Sequence, residues 1–144
     1  MKYGILFLLF FYGLGKLSAQ GNANAIVGVW LSENKRLKVE VYESNKKYFG
    51  KILWQYEKID PETGQPKVDK ENPDPAKRNR PIIGLQVLKD FEFKDGFWQN
   101  GYVYNSQNGK TYSCEIWLEG KDVLVLRGYW GLVYHTEKWT RVKE

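Results

Sequence analysis

Cysteine and histidine are almost missing from this chain of 144 residues, which has one of each, Cys114 and His135. A single cysteine excludes an intramolecular disulfide, so burial of apolar groups has to stabilise the fold. If its segment is a strand, Cys114 shares a face with Tyr112 and Ile116, which predicts a small buried side chain. One cysteine and one histidine do not make a zinc-type cluster. We predict no metal site and no cofactor.

Sequence motifs of the common enzyme classes are also missing. The chain has few serines, no Gly-x-Ser-x-Gly and no glycine loop that could hold a phosphate. A pair of carboxylates brought together by folding is the one hydrolytic arrangement left open. Asp69, Glu71, Asn72 and Asp74 offer oxygen ligands for a calcium-like cation, but the glycine and terminal glutamate of an EF-hand loop are absent. We predict a protein that is not an enzyme.

An apolar run long enough to span a membrane, about 20 residues, does not occur. The N-terminal run at 5–14 follows Lys2 and precedes Leu17-Ser18-Ala19-Gln20, which is typical of a secretory signal peptide. We predict a signal peptide at 1–19, a single domain at 20–144 and a periplasmic or secreted location. No cysteine directly follows the signal, so we expect no lipid anchor. No second apolar run of that kind follows, so we expect no membrane span.

A strong charge excess is missing as well. The formal charge of +5 falls to +3 when Lys2 and Lys16 leave with the signal, which carries no acidic residue. Basic residues are mixed with acidic ones except near Lys77, Arg78 and Arg80. Nucleic-acid binders gather lysine and arginine into a patch or stripe, so we predict no nucleic-acid partner.

Aromatic residues, by contrast, are abundant: six Trp, ten Tyr and seven Phe. They fall in short segments that read as strands and are separated by turn signals such as Asn108-Gly109. The predicted strands are residues 26–31, 36–43, 48–56, 82–89, 96–104, 110–118, 122–129 and 133–142. This spacing predicts an all-β fold, an antiparallel up-and-down barrel of eight strands, whose closure removes exposed edges.

One long irregular segment, residues 57–81, interrupts the strands. A connection of that length in a compact domain is usually functional or disordered. Asp74 and Pro75 suit the N-cap and first position of a short helical turn, which could lie across one mouth of the barrel. We expect Asp69 and Asp74 to pair with Arg78 and Arg80 and so order this loop.

The two ends of the mature chain resemble the calycin pattern, in which Gly-x-Trp on the first strand packs under an arginine from the last strand. Gly28-Val29-Trp30 and Arg141 stand at these positions. The resemblance implies that Trp30 and Arg141 close one end of the barrel. A guanidinium stacked on indole contributes about 0.5 to 2 kcal/mol.

Motifs along nearly the whole mature chain resemble the secreted bacterial family known as domain of unknown function 2147. They are Asp69, Glu71-Asn72-Pro73-Asp74, residues 78–85, 101–104, 108–112 and 126–129, Thr136, and Trp139-Thr140-Arg141. Family members typically have Asp-Pro before the Asn-Gly-Lys turn, whereas this chain has Asn105-Ser106. The resemblance implies a lipocalin-like barrel in the bacterial envelope, with no established activity.

A barrel of this size holds at most one small ligand, so binding is the expected function. The candidate ligand-binding residues lie in strands near loops or family motifs, and they are Trp54, Tyr104, Tyr112, Arg127 and Tyr129. Apolar walls with one convergent arginine suit an amphipathic molecule with an acidic head. The alternative is a solid barrel that acts as a protein- or glycan-interaction module, with a partner in the envelope docked on the 57–81 loop and exposed aromatics.

Overall fold

Residues 22–143, which the computed structural model describes, form a closed antiparallel barrel in which each strand pairs with the next. The predicted signal peptide at 1–19 lies outside the described residues. The strands are β1 Gly28–Leu31, β2 Leu37–Ser44, β3 Lys47–Gln55, β4 Gln86–Lys94, β5 Phe97–Asn105, β6 Lys110–Glu119, β7 Val123–Trp130 and β8 Val133–Arg141. β8 returns to β1 through the pairs Trp30–Arg141 and Leu31–Thr140. The all-β, eight-stranded prediction is confirmed.

The fourth strand differs from its prediction. Residues 82–85 belong to the preceding loop, and β4 runs on to Lys94. Asp90 has a φ of +62°, which interrupts the strand geometry and places Val87, Leu88 and Phe91 in the core instead of strictly alternate residues. The irregularity hides the second half of β4 from a search for alternation.

The long connection between β3 and β4 has order of its own. It carries two isolated antiparallel bridges, Ile59–Pro66 and Val68–Pro81. The predicted helical turn is a 3₁₀ helix at Pro75–Lys77, where the Asp74 carboxylate accepts a hydrogen bond from the Ala76 amide at 3.0 Å. No helix within residues 22–143 is long and apolar enough to cross a membrane.

The ion pairs predicted for this loop are wrong. Within residues 22–143 neither Asp69 nor Asp74 pairs with Arg78 or Arg80. The Asp74 carboxylate is used at the helical turn, and Asp69 is buried while both arginines are exposed. Arg78 Nε instead donates to the backbone carbonyl of Asn72 at 2.8 Å.

One end of the barrel is closed by a stacked pair. Arg141 Cζ lies 4.3 Å from the centroid of the Trp30 ring, and its guanidinium donates to the carbonyls of Ala25 at 2.6 Å and Val27 at 3.1 Å. Gly28 has a φ of +140°, and a Cβ there would lie 2.8 Å from Arg141 Nη1. The close approach of the guanidinium therefore explains the glycine of Gly-x-Trp.

A 3₁₀ helix at Ala23–Ile26 covers the same end. Two core indoles hold it in place, since Trp30 Nε1 donates to the Ile26 carbonyl at 2.8 Å and Trp98 Nε1 to the Ala23 carbonyl at 2.9 Å. Trp30, Phe91 and Trp98 are almost fully buried and fill this half of the barrel. The large side chains thus lie at the closed end, and the remaining space lies at the other.

Candidate ligand-binding site

The opposite end of the barrel opens into a cavity of about 840 Å³. Its mouth lies where β1, β3, β5 and β7 end, so the connections at 32–36, 56–85, 106–109 and 131–132 surround it. Residues of the long β3–β4 connection between Glu57 and Glu71 line it, together with Ile82. The helical turn at Pro75–Lys77, which is predicted to lie across one mouth, is not among the residues that line the cavity.

The inner wall of the cavity is mostly apolar. Aliphatic and aromatic side chains from β2, β3, β4, β5, β7 and β8, with Ile82 from the loop, form it: Leu37, Val39, Ile52, Val87, Val103, Leu126 and Trp139. Gly128 also lies on this wall, and a Cβ added there would meet Val103 Cγ1 at 3.6 Å, an ordinary contact. The space exists because Gly128 and mostly aliphatic side chains face one another at this level of the barrel.

A carboxylate interrupts this apolar wall. Glu137 lines the cavity from β8, where it pairs across the sheet with Leu126. Its Oε2 accepts from Trp139 Nε1 at 2.9 Å, and its Oε1 lies 3.4 Å from His135 Nε2. The Glu137 side chain is 34% exposed and lines the cavity, so a ligand in the cavity can contact it.

The rim carries paired charges. Glu57 accepts from Arg36 Nη1 at 2.8 Å and from Lys67 Nζ at 3.0 Å. The hydrogen bonds from Lys67 and Arg36 lower the pKa of the Glu57 carboxyl. Asp60 and Lys70 form a looser pair at 3.9 Å. The Arg36–Glu57 pair links the β1–β2 turn to the long connection, and because both side chains are more than half exposed it contributes little stability.

Two of the five predicted ligand-binding residues line the cavity, Tyr104 and Tyr112. The Tyr104 hydroxyl donates to Asp69 Oδ1 at 2.6 Å, and burial together with this carboxylate raises the pKa of Tyr104 to about 12. Tyr112 accepts from Asn108 Nδ2 at 3.0 Å in an exposed position. The Tyr104 hydroxyl therefore ties the long connection to β5, whereas the Tyr112 hydroxyl bonds only to the neighbouring β5–β6 turn.

The prediction that Trp54 faces the cavity is wrong. The β2–β3 register shifts between Lys38 and Val39, so Val39 pairs with Ile52 but Leu37 pairs with Gln55. Ile52 and Gln55 line the cavity, and this extra residue turns Trp54 to the outer face. There Lys38 Nζ lies 5.3 Å from the centroid of its ring.

Arg127 and Tyr129 also lie on the outer face, which corrects the prediction for both. Their neighbour Gly128 lines the cavity, and side chains alternate along β7. Arg127 Cζ stacks 4.4 Å from the ring centroid of Tyr134, and Tyr129 donates to Glu115 Oε1 at 2.9 Å. The apolar run before Arg127 conceals which face each residue takes. The cavity wall consequently lacks the convergent arginine.

The remaining candidates for chemistry are separate from one another. Cys114 is buried, and burial raises the pKa of its thiol far above the usual value. His135 is exposed at the mouth, where it lies beside Glu137. Among residues 22–143 no three His, Cys, Asp or Glu side chains converge as metal ligands.

The architecture defines a class of protein: a lipocalin-like β-barrel, closed at one end and hollow at the other. Residues 28–141 match the model of a family described as an uncharacterized protein conserved in bacteria, DUF2147. The chain belongs to this family.

A solved structure carries the same fold. This chain is similar to that structure, protein HP1028 from the human pathogen Helicobacter pylori, which is described as belonging to the lipocalin family. The TM-score is 0.70 at 25% identity, over 82% of this chain and 83% of that one. No curated protein matches the sequence.

Proposed function

We propose that this protein is an exported barrel without enzymatic activity that binds one small lipophilic or amphipathic molecule. The observation that carries the proposal is the apolar cavity of about 840 Å³, open at one end. Small-molecule sites typically occupy about 300–1,000 Å³ and combine apolar walls with few polar groups. The similarity to a protein of the lipocalin family is consistent with such a role.

The distribution of polar groups favours an amphipathic ligand. Its apolar part would lie against Val39, Ile52 and Leu126, and its polar head would lie towards Glu137 and the charged rim. An acidic head group is no longer favoured, because Arg127 lies outside the barrel.

Export is the second part of the proposal and is based on the predicted signal peptide at 1–19. It is tested by expressing the full chain in its bacterial host, fractionating the cells and measuring the intact mass. A protein in the periplasm or medium that starts at Gln20 is the expected result. A full-length product that stays in the cytoplasm would refute it.

Binding is tested by titrating the neutral dye Nile red into the purified mature protein. Gly128→Phe places a ring in the cavity, whereas Ser113→Phe places the same ring on the outer face of β6, where Ser113 is exposed. The wild type and Ser113→Phe should bind the dye, and Gly128→Phe should lose most binding while it stays folded by circular dichroism. Equal binding by all three would contradict a cavity site.

A second candidate, an interaction module, is favoured by the tip of the β7–β8 hairpin. Trp130, Leu132, Val133 and Tyr134 are all more than half exposed there, beside the cavity mouth. Consecutive large apolar groups of this kind often mark a contact surface. Replacing the fully exposed Leu132 by serine should then release an envelope partner without changing dye binding. Unchanged co-purification from the envelope would refute this role.

A further inference from the structure

Glu137 places a carboxylate on the inner wall of the cavity. The other acidic residues that line the cavity are either paired or at the surface. Glu57 and Asp60 have lysine or arginine partners within 4 Å, while Glu62 and Glu71 are exposed on the rim. Glu137 is half-buried and, within residues 22–143, has no lysine or arginine within 4 Å.

The hydrogen bonds of Glu137 leave part of its carboxylate free. An ionised carboxylate can accept about four hydrogen bonds. Trp139 Nε1 supplies one at 2.9 Å, and His135 Nε2 at 3.4 Å adds a charge only when that ring is protonated. The bond from the Trp139 indole holds one carboxylate oxygen of Glu137 against the wall.

The position of Glu137 along β8 gives the site a direction. His135 lies nearer the mouth and is exposed, whereas Trp139 lies deeper and is buried. Residues two apart on a strand are separated by about 7 Å. A head group held at Glu137 would therefore lie just inside the mouth, and the apolar part of the same molecule would reach the deeper wall.

The nearby basic side chains are engaged elsewhere. Lys138 lies on the other face of β8 and pairs with Glu119 at 3.0 Å. Arg36 and Lys67 both bind Glu57, and Arg127 stacks on Tyr134 outside the barrel. A cation brought by the ligand would supply the partner that the protein itself does not provide.

We infer that Glu137 makes the cavity selective for amphiphiles with a protonated amine head, bound as an ammonium–carboxylate pair. A primary ammonium has three N–H donors, which match the free acceptor positions of Glu137. This inference rests on the proposed ligand-binding function and specifies its ligand class.

The test compares three ligands with one chain length: decylamine, 1-decanol and decanoate. Each competes with Nile red at neutral pH below its micelle concentration. Because the alkyl chains have the same length, differences in affinity between the ligands show the contribution of the head group. The wild type should bind decylamine about tenfold more tightly than decanol, the ratio expected for one charged hydrogen bond, and decanoate more weakly still.

Glu137→Gln removes the charge but keeps an oxygen that can accept from Trp139. This variant should bind decylamine about tenfold more weakly and decanol within about twofold of the wild type. Glu115→Gln is the matched control, because it makes the same charge change on the outer face, where Glu115 accepts from Tyr129. It should keep the preference for the amine.

Equal binding of decylamine and decanol by the wild type would overturn the inference, and so would an amine preference that survives in Glu137→Gln. A preference for decanoate would overturn it too and would assign the head group to the basic rim residues. Failure of the proposed function gives a different result. In that case Nile red either does not bind the wild type and Glu115→Gln, or binds them no better than it binds Gly128→Phe.

Discussion

The bond between Tyr104 and Asp69 yields the most specific stability prediction. Asp69 is fully buried, and its carboxylate accepts from the Tyr104 hydroxyl at 2.6 Å and from Asn72 Nδ2 at 2.8 Å. No lysine or arginine in residues 22–143 pairs with it. Tyr104→Phe deletes one of the two side-chain donors and leaves a buried oxygen without its partner.

A hydrogen bond to a charged group contributes about 1.5–3 kcal/mol, so Tyr104→Phe should lower the free energy of unfolding by about 2 kcal/mol. For a domain of this size the loss corresponds to a melting temperature about 8 °C lower. Tyr112→Phe is the matched control, because its hydroxyl makes one exposed bond, to Asn108. It should cost less than about 0.5 kcal/mol.

Urea unfolding followed by circular dichroism measures both variants. Hydrogen exchange gives an independent readout, because the Asp69 amide bonds to the Arg80 carbonyl and the Ile82 amide to the Lys67 carbonyl. Exchange at these two amides should accelerate in Tyr104→Phe and not in Tyr112→Phe. Equal stability of the two variants, or unchanged exchange in this loop, would refute the assignment of Tyr104 as the residue that holds the loop.

Three further predictions concern ionisation, closure and the thiol. Because the pKa of Tyr104 is raised to about 12, the folded state keeps a proton that the unfolded state loses from about pH 10, so stability should fall between these values. Urea unfolding at a series of pH values should show that the free energy of unfolding falls less in Tyr104→Phe than in the wild type. An equal fall in both proteins would contradict this. Arg141→Met removes the stacking on Trp30 and three bonds to carbonyls, so it should cost about 3 kcal/mol in urea unfolding, and a cost below about 1 kcal/mol would exclude the closing role. Cys114, buried and with a raised pKa, should react with Ellman's reagent only in denaturant, whereas rapid labelling of the native protein would show that the barrel opens there.

Much of the fold follows from local pattern. Clean alternation predicts β2 and β6, and Asn108-Gly109 predicts the turn between β5 and β6. The bulge in β3 and the positive φ of Asp90 in β4 are not visible in this pattern. One extra residue exchanges the two faces of every position that follows, so Trp54 appears on the inner face when the bulge is ignored.

The site was predictable in part. The alternation of β8 places His135, Glu137, Trp139 and Arg141 on one face. Since Arg141 closes the barrel from that face, Glu137 could have been assigned to the interior from sequence. Arg127 could not, because the apolar residues before it occupy both faces of β7. Packing of the whole barrel decides that register.

Native mass spectrometry of protein purified from its own envelope, with Gly128→Phe prepared in parallel, shows whether the cavity holds a ligand. We predict a reproducible adduct on the wild type that is missing from Gly128→Phe, and whose extract contains a molecule with an apolar chain and an amine. A wild type without any adduct, which also takes up no Nile red, would show that the cavity does not bind a ligand.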